Sequence, residues 1–245
     1  MHALRITAAV IFVAFVPIFL TATTVRLVIN LPSLYSYGFD KYNIVAYTGI
    51  ERPELLSAAR QLRDYFNNDE ELLIIPLTVR GVQVNSLFNQ REIIHMRDVK
   101  GLIHGVYLVQ MLTALYLLGF AAAGIYLWRR SFWPMLARNA SAGGFLTLGI
   151  IAFIGVVSLV GFDRLFLLFH LISFSNDFWQ LDPSRDYLIA MFPQGFFFDA
   201  TMLIAGSVIL EAALLAAVPM ALLKYLPQRR ITRAQRRLAA RTEAP

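Results

Sequence analysis

The sequence predicts an α-helical membrane protein with four transmembrane helices, both termini cytoplasmic, and a small α+β extracytoplasmic unit between the first and second spans. Three observations carry this. Of the 245 residues, 58% are hydrophobic, above the about 45–50% usual in soluble domains. Four apolar stretches each approach or exceed the about 20 residues needed to cross a hydrocarbon core of about 30 Å. Lys and Arg are divided unevenly between alternate flanks of those stretches, which sets orientation. A soluble single-domain enzyme is excluded. With no cysteine in the chain, disulfides, thiolate metal sites and a cysteine nucleophile are excluded as well.

The elements follow in order. Residues 6–29 form the first span. Its start after Arg5 resembles a signal-peptide core, but Leu20-Thr21-Ala22-Thr23 is a poor small-residue cleavage site, so a retained anchor is expected. Residues 30–104 form the extracytoplasmic unit. Within it, Pro53 and Glu54 suit the first turn of a helix over 53–67, and Leu55, Leu56, Ala59, Leu62 and Phe66 fall on one apolar stripe. Runs 72–75 and 77–84, split by Pro76 and Gly81, predict a short hairpin or two edge strands. Residues 105–127 form the second span, 128–144 a cytoplasmic loop, 145–169 the third span, 170–198 an outer loop, 199–223 the fourth span and 224–245 a basic cytoplasmic tail. In the outer loop, Asp182-Pro183 predicts a cap and first turn for a helix over 184–191.

This arrangement places Arg5, Arg129, Arg130, Arg138, Lys224, Arg229, Arg230, Arg233, Arg236, Arg237 and Arg241 inside, with Glu243 the one acid among them. The outer segments are close to balanced in charge and slightly acidic. Although the chain carries a net charge of +6, its basic residues flank spans rather than lining a soluble face. Membrane lipid, not nucleic acid, is the expected partner.

Candidate chemistry gathers around two histidines. Asn89-Gln90-Arg91-Glu92 has the form of a capping box and opens a helix that runs through His95, Asp98 and His104 into the second span. At 100° per residue Glu92 and Asp98 flank His95, an arrangement expected to orient the imidazole and favour its charged form. His170 lies at the outer end of the third span. If helix continues past it, Phe174 and Asp177 share its face. Trp179 is expected as a headgroup-level anchor, and Asp163-Arg164 as a self-paired couple lining substrate entry. His104 reads as a packing residue. No Gly-x-Ser-x-Gly elbow is present, so a histidine that deprotonates the substrate's own nucleophile fits the inventory better than a covalent acyl-enzyme. Two alternatives remain open here. One is a metal-dependent membrane hydrolase built on Glu92-x-x-His95, a motif with a single copy in this chain; the other is a non-enzymatic membrane assembly factor.

The motifs Glu92-Ile-Ile-His95-Met96-Arg-Asp98-Val99 and Phe169-His170 followed by Phe174-Ser-Asn176-Asp177-Phe-Trp179-Gln-Leu-Asp182 resemble the paired signature of the lipoprotein intramolecular transacylase family of bacterial integral membrane proteins. The separation of the two histidines, 75 positions, resembles that family too. The resemblance implies an enzyme of the bacterial cytoplasmic membrane with its site at the extracytoplasmic face. It would move the sn-2 acyl chain of a diacylglyceryl-cysteine lipoprotein to the α-amino group of the same cysteine, giving the lyso form. It implies His95 and His170 as catalytic residues, with Glu92, Asp98 and Asp177 orienting them and Asn176 donating to an oxyanion. No cofactor and no metal are implied.

Overall fold

The computed structural model describes residues 2–158 and 161–242, with side chains over 3–155 and 161–225. Helix α1 (His2–Ile29) is followed by α2 (Pro32–Lys41), α3 (Ile44–Thr48) and α4 (Arg52–Phe66). A hairpin of β1 (Leu77–Val79) and β2 (Val82–Val84) comes next, then α5 (Gln90–Trp128), α6 (Trp133–Ser158), α7 (Phe162–Ser173), α8 (Tyr187–Met191) and α9 (Gln194–Thr242). Four helices are long and apolar enough to cross a membrane: Ala3–Ile29, Gln90–Ser131, Trp133–Gly155 and Gln194–Tyr225. The chain divides into two compact units.

One unit comprises Met1–Leu20, Met111–Phe153 and Val208–Pro245. Its helices approach closely where side chains are smallest. A Cβ on Gly144 would stand 2.7 Å from both the Ala212 carbonyl oxygen and the Ala216 nitrogen, and one on Gly143 would stand 2.7 Å from Val16. Backbone packs on backbone here because lipid tails supply no hydrophobic drive between helices, so dispersion at short range must hold them. Phe12 packs against Phe120 with ring centroids 4.9 Å apart and planes tilted by 39°, and Phe15 meets Tyr116 edge-on at 5.0 Å, while Leu118, Phe145 and Phe153 are turned outward. The basic cluster Arg229 to Arg241 lies outside the described side chains.

The other unit comprises Thr21–Gln110 and Ile154–Ser207. Its core is built on α4, whose Leu55, Ala58, Ala59, Leu62, Tyr65 and Phe66 are buried, the stripe expected from a 3.6-residue period. Phe39 of α2, Ile44 of α3, Ile75, and Met191 of α8 pack into the same cluster. Burying side chains of this size contributes about 1.5–3 kcal/mol each. The hairpin pairs Leu77 with Val84 and Val79 with Val82. It turns through Arg80 and Gly81, both at positive φ (50° and 78°), as the twist of a two-residue hairpin demands.

Three expectations change. Residues 72–75 do alternate, with Leu73 and Ile75 buried and Leu72 and Ile74 exposed, but they form no strand. Pro76 has no N–H to continue a ladder, and one bond from Leu87 N to the Ile75 carbonyl closes the segment instead. The third apolar run is carried by two helices. The segment 133–144, expected as loop, is the first half of α6, and Gly161 at φ 115° precedes α7; a hydropathy window passes over Arg138-Asn139 because those residues are polar, although they are compatible with helix. The short helix expected over 184–191 begins at Tyr187, with 182–185 held as a turn by Asp182.

Candidate active site

The site is built at the N-terminal end of α5. Asn89 Oδ1 accepts from the Arg91 and Glu92 backbone N–H groups at 3.0 and 3.2 Å, and Glu92 Oε2 accepts from Asn89 N at 2.7 Å. This is the reciprocal capping box. The other oxygen, Glu92 Oε1, accepts from Leu188 N in the first turn of α8 at 2.6 Å. Glu92 is 1% exposed. Burial pushes its carboxyl up to about 7, against the pull of the two backbone N–H groups. Among the described residues it makes no hydrogen bond to His95, so the expected carboxylate–imidazole pair is replaced by a carboxylate that ties α8 to the start of α5.

One turn on, His95 is buried and its Nδ1 has no hydrogen-bond partner among the described residues. α5 is 39 residues long, about 58 Å at helical rise, nearly twice a hydrocarbon core, so its opening turns stand outside the apolar stretch. Burial, then the neighbouring His170, push the His95 imidazole down to about 4; Asp98 opposes them and loses. The expected gain in basicity from flanking carboxylates is thus reversed, because desolvation of the cation outweighs a partly solvated charge. Asp98 Oδ2 takes the Asn176 amide at 2.8 Å, and that contact straps the loop after α7 to α5.

His170 occupies the last turn of α7 and is also buried. Its Nδ1 lies 2.7 Å from the Phe166 carbonyl oxygen. A carbonyl only accepts, so Nδ1 carries the proton and Nε2 presents the lone pair. Burial lowers this imidazole's pKa, and the Phe166 carbonyl opposes the shift. Helix does not continue past Ser173: Phe174 is extended at φ −124°, ψ 133°. Asp177 is therefore turned away, its carboxylate taking the Gln180 amide and its carbonyl accepting from Arg91. The expected His170–Asp177 pair does not form.

The two imidazoles meet. Their centroids are 6.0 Å apart with planes inclined by 30°. Phe174 stands edge-on to His95 at 5.0 Å, and Trp179 lies over His170 at 5.0 Å, so Trp179 touches a candidate catalytic ring. Phe166 and Phe169 approach His170 at 4.4 and 5.3 Å. These phenylalanines were visible at i−4, i−1 and i+4 from His170 in the sequence, and only the helix break showed that they enclose the imidazole. Asn176 is engaged through both its amide atoms, since its Nδ2 donates to Asp98 and its Oδ1 accepts from Phe178 N at 3.1 Å. Asp163 takes the Gln194 amide at 2.8 Å instead of pairing with Arg164, as adjacent helical residues face different ways. His104 Nε2 sits 3.0 Å from the Phe66 carbonyl at the end of α4, a packing role. Among the described residues no three His, Asp or Glu side chains are placed to hold a metal ion.

Fold and site together define a helical membrane protein carrying a buried, aromatic-walled imidazole pair on a small α+β unit. The family model described as lipoprotein intramolecular transacylase Lit matches residues 10–197, and the chain belongs to that family. The membrane-integral lipoprotein intramolecular transacylase Lit of Bacillus cereus superposes with a TM-score of 0.73 at 21% identity, over 93% of this chain and 100% of that one. A variant of the same protein with a histidine replaced by arginine gives 0.75 over 94% and 96%. An uncharacterized protein of Aquifex aeolicus (strain VF5) is 31% identical over 119 residues, which is 48% of this chain and 50% of that relative. The match spans about half the length of that relative.

Proposed function

We propose that this protein is a lipoprotein intramolecular transacylase, which moves the sn-2 acyl chain of a diacylglyceryl-cysteine to the α-amino group of the same cysteine. The observation that carries this reading is the juxtaposition of His95 and His170, whose ring centroids lie 6.0 Å apart, close enough for both to reach one reacting centre. Ester and amine already share one molecule, so holding them against the ring edges supplies a large effective molarity. His170, with its proton fixed on Nδ1, is the general base. Its Nε2 takes a proton from the α-amine as nitrogen attacks the ester carbonyl and the C–N bond forms. His95, kept neutral by burial, donates an N–H to the oxyanion. As the acyl C–O bond breaks, His170 returns its proton to the glyceryl oxygen, leaving an amide, a free sn-2 hydroxyl and both imidazoles unchanged. The aromatic walls exclude water, which would otherwise hydrolyse the ester.

In this reading Glu92, Asp98 and Asn176 act at one remove by fixing the segments packed around the rings, and Asp177 does so through its carbonyl on Arg91 and its carboxylate on Gln180. The distribution of Lys and Arg supports cytoplasmic termini and a site at the extracytoplasmic face of the bacterial membrane, where the lipoprotein substrate and membrane lipid are the partners. The test is mass spectrometry of N-terminal lipopeptides from cells that lack other means of N-acylation. Wild type yields N-acylated lyso-form peptides, and His95→Ala and His170→Ala yield free-amine diacylglyceryl peptides. Free-amine peptides from wild type would overturn the assignment.

A further inference from the structure

A pocket of about 330 Å³ opens beside α8, lined among others by Tyr47, Arg80, Ser184, Arg185, Asp186 and Ala190. Its lining residue Asp186 accepts from the Asn89 amide at 2.8 Å, and Asn89 precedes His95 by six positions. That is about 9 Å along the axis of α5 at helical rise, in the direction away from the apolar stretch.

Two details single out Arg80. It occupies a left-handed position in the hairpin turn (φ 50°), where Asn or Gly is the less strained choice. Its side chain is laid across Gly49, where a Cβ would stand 2.5 Å from Arg80 Nε and the backbone is itself left-handed (φ 71°). Two strained positions thus aim one guanidinium at the pocket. Arg80 makes no ion pair among the described residues. Arg185, also in the lining, is held by Asp182 at 3.3 Å.

Resting on the transacylase reading, we propose that this pocket receives the substrate's polypeptide about three residues beyond its lipidated cysteine, with Arg80 and Arg185 donating to main-chain carbonyls or an acidic side chain. An extended chain advances about 3.3 Å per residue, so a peptide leaving the imidazole pair away from the membrane covers 9 Å in about three residues. Guanidinium groups suit this task because they donate in a planar fork that does not depend on side-chain identity in the peptide. The pocket extends recognition from the reacting lipid to the chain it anchors.

The experiment uses the full-length protein in detergent with diacylglyceryl-cysteine amide, and with the same head group carrying two or six further residues. Two readouts are taken: turnover, and binding of a fluorescent six-residue lipopeptide. In wild type, kcat/KM rises with peptide length and binding is strong. Arg80→Asn suits the left-handed turn and so preserves the fold; it erases the length dependence and weakens six-residue binding about tenfold, the size of one lost charge-assisted contact. Turnover of the amide is unchanged. Gly49→Ala displaces Arg80 and acts the same way. Equal length dependence in Arg80→Asn and wild type overturns the proposal, as does an Arg80 effect that follows anionic phospholipid content and ignores peptide length. Arg80-dependent binding without turnover in wild type would sink the transacylase reading and leave the pocket standing.

Discussion

Glu92 Oε1 accepts a hydrogen bond from the Leu188 backbone N–H at 2.6 Å, across 96 positions of sequence. With Glu92 Oε2 on Asn89 N, one buried carboxylate fixes the first turn of α5 to the first turn of α8. Glu92→Ala leaves the buried Leu188 N–H without an acceptor, at a cost of about 1–3 kcal/mol, and frees the part-buried Asn89 N–H as well. The expected outcome is a clear fall in thermal midpoint together with lost turnover. A variant with wild-type stability and rate would show that the link is dispensable.

Glu92 and His95 titrate in opposite senses. Burial raises the Glu92 carboxyl from 4.5 to about 7, so between those values the folded state holds a proton the unfolded state has lost, and stability falls as pH rises. Burial and His170 lower His95 from 6.5 to about 4; there the unfolded state holds the extra proton, and stability rises with pH. Each effect is worth up to about 3 kcal/mol over its window, and over pH 4.5–6.5 they offset each other. Wild type should therefore show a more even profile across that range than Glu92→Gln, with His170, also lowered by burial, adding to the rise with pH. Glu92→Gln should lose stability as pH falls from 6.5 toward 4, and His95→Ala should lose it as pH rises from 4.5 toward 7. Parallel profiles for the two variants, followed by thermal unfolding at stepped pH, would refute the opposition.

The sequence made the α5 capping box and its charged turn readable because a helix N-terminus is a local problem solved by residues three apart. The apolar stripe of α4 was readable for the same reason. What failed was the direction of the chain after a break. The extended Phe174 and the positive φ of Gly161 redirect everything downstream, so Asp177 leaves His170 and Trp179 arrives on it. The basicity of His95 is not legible in the sequence for a related reason: carboxylate neighbours lie in the local sequence, whereas burial is contributed by α7 and the loop that follows it.

Trp179 and His170 are predicted to share a pH signature. The indole lies 5.0 Å from the imidazole and helps keep it dry. Trp179→Ala admits water, moves the His170 pKa back toward its ordinary value, and shifts the acidic limb of the rate profile upward. Trp179→Phe retains most of the cover and should keep the limb near wild type. An anchor acting on lipid alone would change KM in both variants without moving the limb.

The two imidazoles should fail differently. If His170 is the base, His170→Ala lowers kcat by about 10²–10⁴, and a small exogenous imidazole restores part of the rate, because proton transfer tolerates an untethered base. His95 supplies a positioned donor to the oxyanion, and its removal costs about 10²–10³. His95→Asn, which still presents an N–H, should recover more activity than His95→Ala, while imidazole does little. Rescue of His95→Ala but not His170→Ala would exchange the two roles.

Packing in the helical unit gives a test independent of chemistry. Gly144 faces the backbone of Ala212 and Ala216, and an added Cβ would lie 2.7 Å from atoms that cannot rotate aside. Neighbouring Gly143 faces Val16, whose Cβ and Cγ2 would both lie 2.7 Å away, so a change of rotamer does not relieve that contact either. Gly144→Ala and Gly143→Ala should thus each destabilise the protein by about 1–3 kcal/mol, as overpacking against a fixed surface. Because helix packing in lipid depends on close approach, the Gly144→Ala protein should unfold at lower denaturant while its His95–His170 chemistry, measured on the fraction still folded, keeps its rate. Wild-type stability in Gly144→Ala would mean that α6 shifts as a body and that its contact with Ala212 and Ala216 is not fixed.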